Sequence, residues 1–204
     1  MPCKREVVGV TLISTFYSFE PLVSAAHAYS PSKIVLIVAK DSLQKTQVQE
    51  DVKKVKDFYG KVAEIEVSQV NGSDLLAIAE ETVKLLEKDR EKKIVNVSGG
   101  WKVLAQGVLY GCYARPDLVE KIVCNDIGRE NTIVEMPKLS FGLTSAKREL
   151  LEEISKRNGR SIADIAEKMK KTRGMIYQHL KELRETGYVD PDFQITLAGK
   201  LALL

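Results

Sequence analysis

The sequence predicts an α/β protein: a Rossmann-like parallel sheet with an antiparallel edge hairpin, followed by a small winged helix-turn-helix domain. Two observations predict the sheet. Runs rich in β-branched residues alternate with helix-like stretches over the first two-thirds of the chain, and several of these runs are almost continuously apolar. The third observation is a change of pattern after Pro137 and Gly142, beyond which the chain is helical as far as Gly187. We therefore predict an N-terminal domain of residues 1–138 and a C-terminal domain of residues 139–204.

The elements of the first domain follow in a regular order. Strands are predicted at 7–14, 33–41, 62–70, 93–99, 120–128 and 131–137. Between them, the stretches QVQEDVKKVKDFYG and DLLAIAEETVKLLEKD place apolar residues at i, i+4 and i+7, as amphipathic helices do. The β-α-β alternation implies right-handed crossovers and parallel strands. Only GREN separates the last two strands, so they should form an antiparallel hairpin at one edge.

The C-terminal domain is predicted from helix caps and a turn. Thr144 can cap a helix over 145–156, which Asn158-Gly159 ends, Ser161 starts a short second helix, and Thr172 caps a third. The final stretch, YVDPDFQITLAGKLALL, indicates a strand, a Pro-Asp turn, a second strand and a terminal helix capped by Thr196. This order of elements is typical of a winged helix-turn-helix.

The net positive charge of the chain lies entirely in the second domain. Residues 1–138 carry 19 basic and 19 acidic residues, whereas residues 139–204 carry 12 and 9. Between Lys168 and Arg184 there are six basic residues against one acid, Glu182. A local basic patch on a near-neutral protein indicates nucleic-acid binding. The alternative is a helical protein-interaction module with a solvated basic face.

The third helix of this domain is the expected recognition helix. Ile176, Leu180 and Leu183 define its buried face, and recognition helices contact base edges from their N-terminal half. Arginine can fork onto guanine and glutamine onto adenine, while lysines suit phosphates. We expect base contacts from Arg173, Met175, Tyr177 and Gln178, and phosphate contacts from Lys170, Lys171, Thr172, Lys181 and Arg184. One such module reads only one half-site, and the sequence discrimination of a single half-site is limited. We therefore expect a homodimer on double-stranded operator DNA.

Composition excludes several other classes of protein. The chain is 44% hydrophobic and 29% charged, has no apolar run of about 20 residues and shows no signal-peptide pattern at its start. We therefore expect a cytoplasmic protein. Three cysteines without CxxC spacing and two distant histidines predict neither a disulfide framework nor a metal site.

Polar loops follow the predicted parallel strands, where α/β proteins bind their ligands. They contain Ser14, Thr15, Phe16 and Tyr17 after the first strand, and SGGWK, residues 98–102, after the fourth. SGGWK matches neither the P-loop nor the dinucleotide fingerprint, and the loops lack histidine, so we predict no cofactor and no catalytic residue. Glycines followed by a helix N-terminus still suit a phosphate. Alternatively, Gly99 and Gly100 merely make a tight turn.

The stretch NVSGGWK resembles the fourth-strand motif of the CRISPR-associated Rossmann fold, or CARF, domain. That motif is approximately Asn/Asp-x-Ser/Thr-x-x-x-Lys/Arg, and Asn96, Ser98 and Lys102 match it. The polar, aromatic loop after the first strand is also similar. With the winged helix, the resemblance covers essentially the whole chain and is to transcriptional regulators encoded beside CRISPR systems. Trp101 departs from the commoner Thr or Arg at its place.

The resemblance implies a function in antiviral defence. It implies a homodimer whose CARF domains share one pocket for a cyclic oligoadenylate, with cyclic tetra-adenylate as the first expectation. It also implies a ligand-responsive DNA-binding regulator of CRISPR-associated genes. The residues carried over to the ligand site are Ser14, Thr15, Phe16, Tyr17, Asn96, Ser98, Gly99, Gly100, Trp101 and Lys102.

Two alternatives to this regulator stay open. One is a metal-independent ring nuclease, similar to some CARF proteins, in which Lys102 and Ser14 assist attack by a ribose hydroxyl. The other is a winged-helix regulator that senses a different nucleotide or phosphate.

Overall fold

The computed structural model describes residues 9–88, 90–126, 132–156 and 161–204. The chain divides into two compact units, Met1–Ser140 and Phe141–Leu204. Three features predicted above lie outside the described residues: the start of the first strand at Val7, the GREN turn and the helix end at Asn158-Gly159.

The N-terminal unit alternates strands and helices as predicted. Its sheet has the order β3-β2-β1-β4-β5-β6, with β6 antiparallel to β5 at the edge and the other neighbours parallel. The predicted fold class is thereby confirmed. The strands are β1 (Val10–Thr15), β2 (Lys33–Ala39), β3 (Glu64–Val70), β4 (Lys92–Asn96), β5 (Lys121–Asn125) and β6 (Ile133–Met136). The helices are α1 (Glu20–Tyr29), α2 (Thr46–Tyr59), α3 (Leu75–Glu87) and α4 (Lys102–Ala114).

Both faces of the sheet are covered, which explains the continuously apolar strands. In β2, Ile34 and Leu36 pack under α1 and α2, whereas Val35 and Ile37 pack under α3 and α4. Since successive side chains of a strand point to opposite faces, a strand covered on both sides needs apolar residues at every position.

The strand order creates a switch point between β1 and β4. The chain winds outward from β1 through β2 and β3, then returns to place β4 on the other side of β1. The connections after β1 and β4 therefore lead to helices on opposite faces of the sheet, α1 on one and α4 on the other. In open α/β sheets, the crevice at such a point is where ligands bind, beyond the carboxyl ends of the strands.

The C-terminal unit contains the predicted helices. They are α5 (Ser145–Ser155), α6 (Ile162–Lys168), α7 (Arg173–Glu185) and α8 (Leu197–Leu203). The side chains of Thr144, Ser161, Thr172 and Thr196 cap them in that order. No helix within the described ranges is both long enough and apolar enough to cross a bilayer.

The wing is shorter than predicted. In place of two strands there is one antiparallel bridge, between Val189 and Ile195. The carboxylate of Asp190 accepts hydrogen bonds from the backbone N–H groups of Asp192 (2.9 Å) and Gln194 (2.8 Å). This side-chain turn takes the backbone donors that a longer ladder would use.

Candidate functional site

Asn96 connects the elements that meet at the switch point. It is the last residue of β4 and is fully buried. Its side-chain nitrogen donates to Ser14 Oγ of β1 (3.1 Å) and to the carbonyl oxygen of Pro21 in α1 (3.0 Å). Its side-chain oxygen accepts from the N–H of Ser98 (3.2 Å) and from the Ser98 hydroxyl. Because every arm of the amide is engaged, Asn96 fixes the relative positions of β1, α1 and the loop after β4.

Asn125, at the end of β5, joins the same network and was not predicted. Its N–H donates to Ser98 Oγ at 2.8 Å, and its side-chain nitrogen donates to the Pro21 carbonyl at 3.1 Å. The two asparagines therefore converge on one serine and one carbonyl. The signal in the sequence was a second asparagine at the end of an apolar run, but only the adjacency of β4 and β5 makes it meaningful.

The two glycines of the SGGWK loop are both required by the turn. A Cβ on Gly99 would lie 2.3 Å from the Thr15 carbonyl oxygen, closer than any side chain can approach. Gly100 has φ of 75°, in the left-handed region that favours glycine. Close packing of Gly99 against β1 and the left-handed conformation of Gly100 thus account for both glycines without a ligand.

The helix that follows the loop begins without a side-chain cap. At the start of α4 stands Trp101, and at the start of α2 stands Lys45, and neither side chain accepts a hydrogen bond from the first turn. By contrast, Asp74 caps α3 through the N–H of Ala77. An N-terminus without a capping side chain leaves its N–H groups and the positive end of the helix dipole to other acceptors, including anions.

An aromatic and cationic cluster lies over this loop. The ammonium of Lys45 is 5.2 Å from the ring centre of Tyr17 and 5.1 Å from that of Trp101. It also donates to the Tyr17 hydroxyl at 3.4 Å. Lys45 was not predicted as a site residue, because no pattern in residues 40–45 indicates that its side chain lies near Trp101.

The predicted ligand residues fall into two groups. Tyr17, Ser98 and Gly100 are partly exposed, and Trp101 and Lys102 are exposed. Ser14, Thr15, Asn96 and Gly99 are buried beneath them, where the three side chains hydrogen-bond and support the loop. For Phe16 the structure differs from the prediction. The residue is 1% exposed and packs in the core under α1 and α2, so it has a packing role in place of the expected ligand contact.

Helix α7 presents the predicted recognition surface. Ile176, Leu180 and Leu183 are buried, as its spacing predicted. The candidate DNA contacts are exposed apart from Lys171, which is half-buried, and the exposed fractions of Met175 and Tyr177 are 49% and 52%. The Thr172 hydroxyl accepts from Met175 N at 3.3 Å and is thus used as a cap. Among the described residues, Arg173, Lys170, Lys171 and Arg184 pair with no acid.

Glu182 organises the middle of α7. Its carboxylate accepts from Lys147 of α5 at 2.8 Å and from the Gln178 side-chain nitrogen at 2.8 Å. The hydrogen bonds from Lys147 and then Gln178 lower the pKa of Glu182 to about 2. Gln178 is therefore held by Glu182, and it must leave this carboxylate before it can contact a base.

Comparison with known protein families gives a match within the C-terminal unit. Residues 144–190 match the arsR family of bacterial regulatory proteins, a helix-turn-helix family. No curated protein is significantly similar to the chain in sequence.

Solved structures share the fold at low identity. Csm6 from Enterococcus italicus, bound to cyclic hexa-2′-fluoro-hexa-dAMP, is 11% identical with a TM-score of 0.50, over 87% of this chain and 50% of Csm6. Protein VC1899 from Vibrio cholerae is 12% identical with a TM-score of 0.50, over 97% and 65%. Can2 from Sulfobacillus thermosulfidooxidans, in complex with cyclic tetra-adenylate, is 16% identical with a TM-score of 0.47, over 96% and 62%. The chain thus spans less than two thirds of each of these proteins.

At such identities the likeness concerns the fold and not the activity. The arsR match identifies the C-terminal region as a helix-turn-helix. The strand order identifies the N-terminal unit as a Rossmann-like domain. The chain therefore joins a Rossmann-like domain, similar in fold to Csm6, to an arsR-type helix-turn-helix, and this confirms the two-domain architecture that the resemblance implied.

Proposed function

We propose that the protein is a homodimeric, ligand-responsive DNA-binding regulator of CRISPR-associated genes, and that its ligand is a cyclic oligoadenylate. The observation that carries the proposal is the presence, in one chain, of an arsR-type recognition helix and a polar strand-end site at a topological switch point. Csm6, which shares the fold, was solved with a cyclic hexanucleotide. Cyclic tetra-adenylate is our first candidate for the present chain.

Three features of the N-terminal unit support an anionic nucleotide. The first turn of α4 has no capping side chain, Lys102 is exposed at its start, and Trp101 offers a half-exposed ring for stacking. The buried Asn96 network beneath them holds the loop in place before any ligand arrives, which lowers the cost of binding. In the proposed dimer, two such loops line one pocket, and a two-fold-symmetric ring presents the same groups to each.

The regulatory step we propose is a population shift. A ligand that binds one arrangement of the dimer more tightly than another favours that arrangement, and the two winged helices then have a different affinity for their operator. The coupling is reciprocal, so operator DNA must change the affinity for the ligand by the same factor.

Titration calorimetry with cyclic tetra-adenylate, cyclic hexa-adenylate and ATP tests the ligand. We expect one cyclic oligoadenylate to bind per two chains, and Lys102→Ala to weaken binding by about tenfold or more, because each protomer loses one phosphate contact to the ring. Lys92→Ala is the matched control, because Lys92 is an exposed lysine that begins β4, at the opposite end of this strand from the SGGWK loop. Absence of binding by both cyclic compounds contradicts the proposed ligand, and ATP binding in their place favours the regulator of another nucleotide.

Gel-shift or anisotropy titrations on the protein's own promoter test DNA binding. Arg173→Ala with Gln178→Ala should reduce discrimination between operator and random DNA by about 10–100-fold, since a lost base contact costs about 1–3 kcal/mol. Lys170→Ala and Lys171→Ala should weaken binding to both DNAs alike and flatten the salt dependence. Lys200→Ala, in α8, is the control substitution. If neither pair changes binding more than the control does, α7 is not the recognition helix.

We propose that the protein binds the ring without cleaving it. The Ser14 hydroxyl, one of the two groups considered for a ring nuclease, is buried and donates to the Thr15 carbonyl at 3.1 Å. A hydroxyl held in that position is not directed toward a bound ribose. Chromatography of cyclic tetra-adenylate after hours with excess protein should recover the intact ring, and linear product that disappears with Lys102→Ala would favour the nuclease instead.

A further inference from the structure

Three neighbouring strands each contribute one side chain to the cluster over the SGGWK loop. Tyr17 follows β1, Lys45 follows β2 at the start of α2, and Trp101 follows β4 at the start of α4. The Lys45 ammonium lies within about 5 Å of both ring centres, inside the range of a cation–π contact. The cluster therefore closes across the carboxyl ends of β2, β1 and β4, directly above the buried Asn96 network.

The contacts that hold this cluster are individually weak. Lys45 is exposed, Trp101 is 50% exposed, and a cation–π contact in water is a small stabilisation. Within the described ranges no carboxylate pairs with Lys45, so its charge is balanced only by the two rings and the Tyr17 hydroxyl. An anion that arrives at the loop does not need to break a salt bridge to recruit this lysine.

A nucleotide offers both Trp101 and Lys45 a stronger partner than the one each has in the free protein. A base can stack on the indole face, an interaction worth more than an exposed cation–π contact, and a phosphate can accept a charge-assisted hydrogen bond from the ammonium. Both changes of partner favour the ligand-bound state. They also require a ligand that carries a base and a phosphate close together, because Trp101 and Lys45 are side by side.

We propose that Lys45 is a ligand-binding residue that exchanges partners: it bridges Tyr17 and Trp101 in the free protein, and it pairs with a phosphate of an oligonucleotide ligand whose base stacks on Trp101. This rests on the proposed function, in that the ligand is a cyclic oligoadenylate bound at this loop. It also gives Trp101, which departs from the commoner residues at its place, a specific role. The preference is for an adenine-containing anion over phosphate alone.

The only tryptophan of the chain is Trp101, so tryptophan emission, excited selectively over that of tyrosine, reports on this cluster alone. In the free protein, Lys45→Met should change the emission of Trp101 because it removes the ammonium from the ring. Lys53→Met is the matched control: it removes an exposed lysine from the same helix and should leave the emission unchanged. Equal spectra for wild type and Lys45→Met would overturn the free-state contact and with it the exchange.

Titration with cyclic tetra-adenylate and cyclic hexa-adenylate then tests the bound state. The ring that binds should quench Trp101 at the same midpoint that calorimetry gives, whereas inorganic phosphate should not quench it at the same concentrations. Lys45→Met should weaken binding by about tenfold or more, Lys45→Arg should restore most of the affinity, and Lys53→Met should bind as wild type does.

The outcomes separate this inference from the proposed function. If calorimetry shows a ring bound by wild type and equally well by Lys45→Met, the exchange is wrong while the proposed ligand stands. Binding without any change in Trp101 emission overturns the stacking. If neither ring binds to wild type, the proposed ligand and the exchange both fail.

Discussion

The recognition helix and the strand-end site present their functional residues in opposite ways. The single 13-residue helix α7 carries all four candidate base contacts, and all four are exposed. At the switch point, by contrast, β1, β4, β5 and α1 each provide a part, and most of the polar atoms are buried and bonded to one another. A recognition helix can be altered one side chain at a time, whereas the strand-end site is a connected network in which one loss affects several elements.

The network should fail most severely at Asn96. Asn96→Ala removes an amide that serves Ser14, Ser98 and the Pro21 carbonyl in a buried position, so we expect a loss of about 2–4 kcal/mol in the free energy of unfolding. Urea unfolding followed by Trp101 fluorescence measures this for the N-terminal unit alone.

Two substitutions serve as references for that value. Asn71→Ala changes the same residue type at an exposed position after β3 and should cost less than about 1 kcal/mol. Gln178→Ala on α7, measured by thermal circular dichroism, should change stability by less than about 0.5 kcal/mol. If Asn96→Ala costs no more than Asn71→Ala, the network does not act as a unit and the contrast between the two regions is wrong.

Replacing one glycine by alanine in each region should give the next largest effect. The free energy of unfolding should fall for Gly99→Ala at the strand-end site and rise for Gly174→Ala on α7. In Gly99→Ala the new methyl group would lie 2.3 Å from the Thr15 carbonyl oxygen, so the backbone must shift at a cost of about 1–3 kcal/mol. In Gly174→Ala the added methyl group meets no atom within 4 Å, and α7 should gain up to about 1 kcal/mol. Denaturation curves for the two variants measure both values, and the same sign for both would contradict this account.

The sequence predicted most of what is local. Apolar runs, caps and helical spacing identified the strands and helices, because each depends on residues within about ten positions of one another. The spacing of Leu12, Ser14 and Phe16 along the first strand also indicated that Phe16 would be buried. Side chains two apart in a strand share a face, and the N–H of Phe16 continues the pairing with β2 through the Ile37 carbonyl (2.9 Å).

The contacts that could not be predicted from the sequence are those that depend on the order of the strands in the sheet. Asn125 joins Asn96, and Lys45 reaches Trp101, only because β5 and β1 flank β4 and β2 flanks β1. These residues are separated by tens of positions along the chain, and periodicity carries no information about which strands are neighbours. For the same reason, α7 was described more completely from the sequence than the strand-end site was.

The smallest expected effect concerns the one network that α7 does contain. The pKa of Glu182 lies at about 2, below its ordinary value of 4.5, chiefly because Lys147 donates to it. A carboxyl whose pKa is lowered by folding stabilises the folded state above pH 4.5, and it loses that contribution as the pH falls toward 2. Because this side chain is accessible to solvent, water and salt screen the interaction and its contribution should be modest.

Glu182→Gln should therefore lower the unfolding temperature of the C-terminal unit slightly at neutral pH, and the difference from wild type should vanish as the pH approaches 2. Calorimetric melts at several pH values measure this, with Glu185→Gln as the control, since Glu185 is more exposed and only reaches Lys181 at 4.0 Å. The variant also weakens the hold on Gln178. If its stability loss is equal at pH 7 and pH 2, then packing and not charge explains the contribution of the Glu182 contacts to stability.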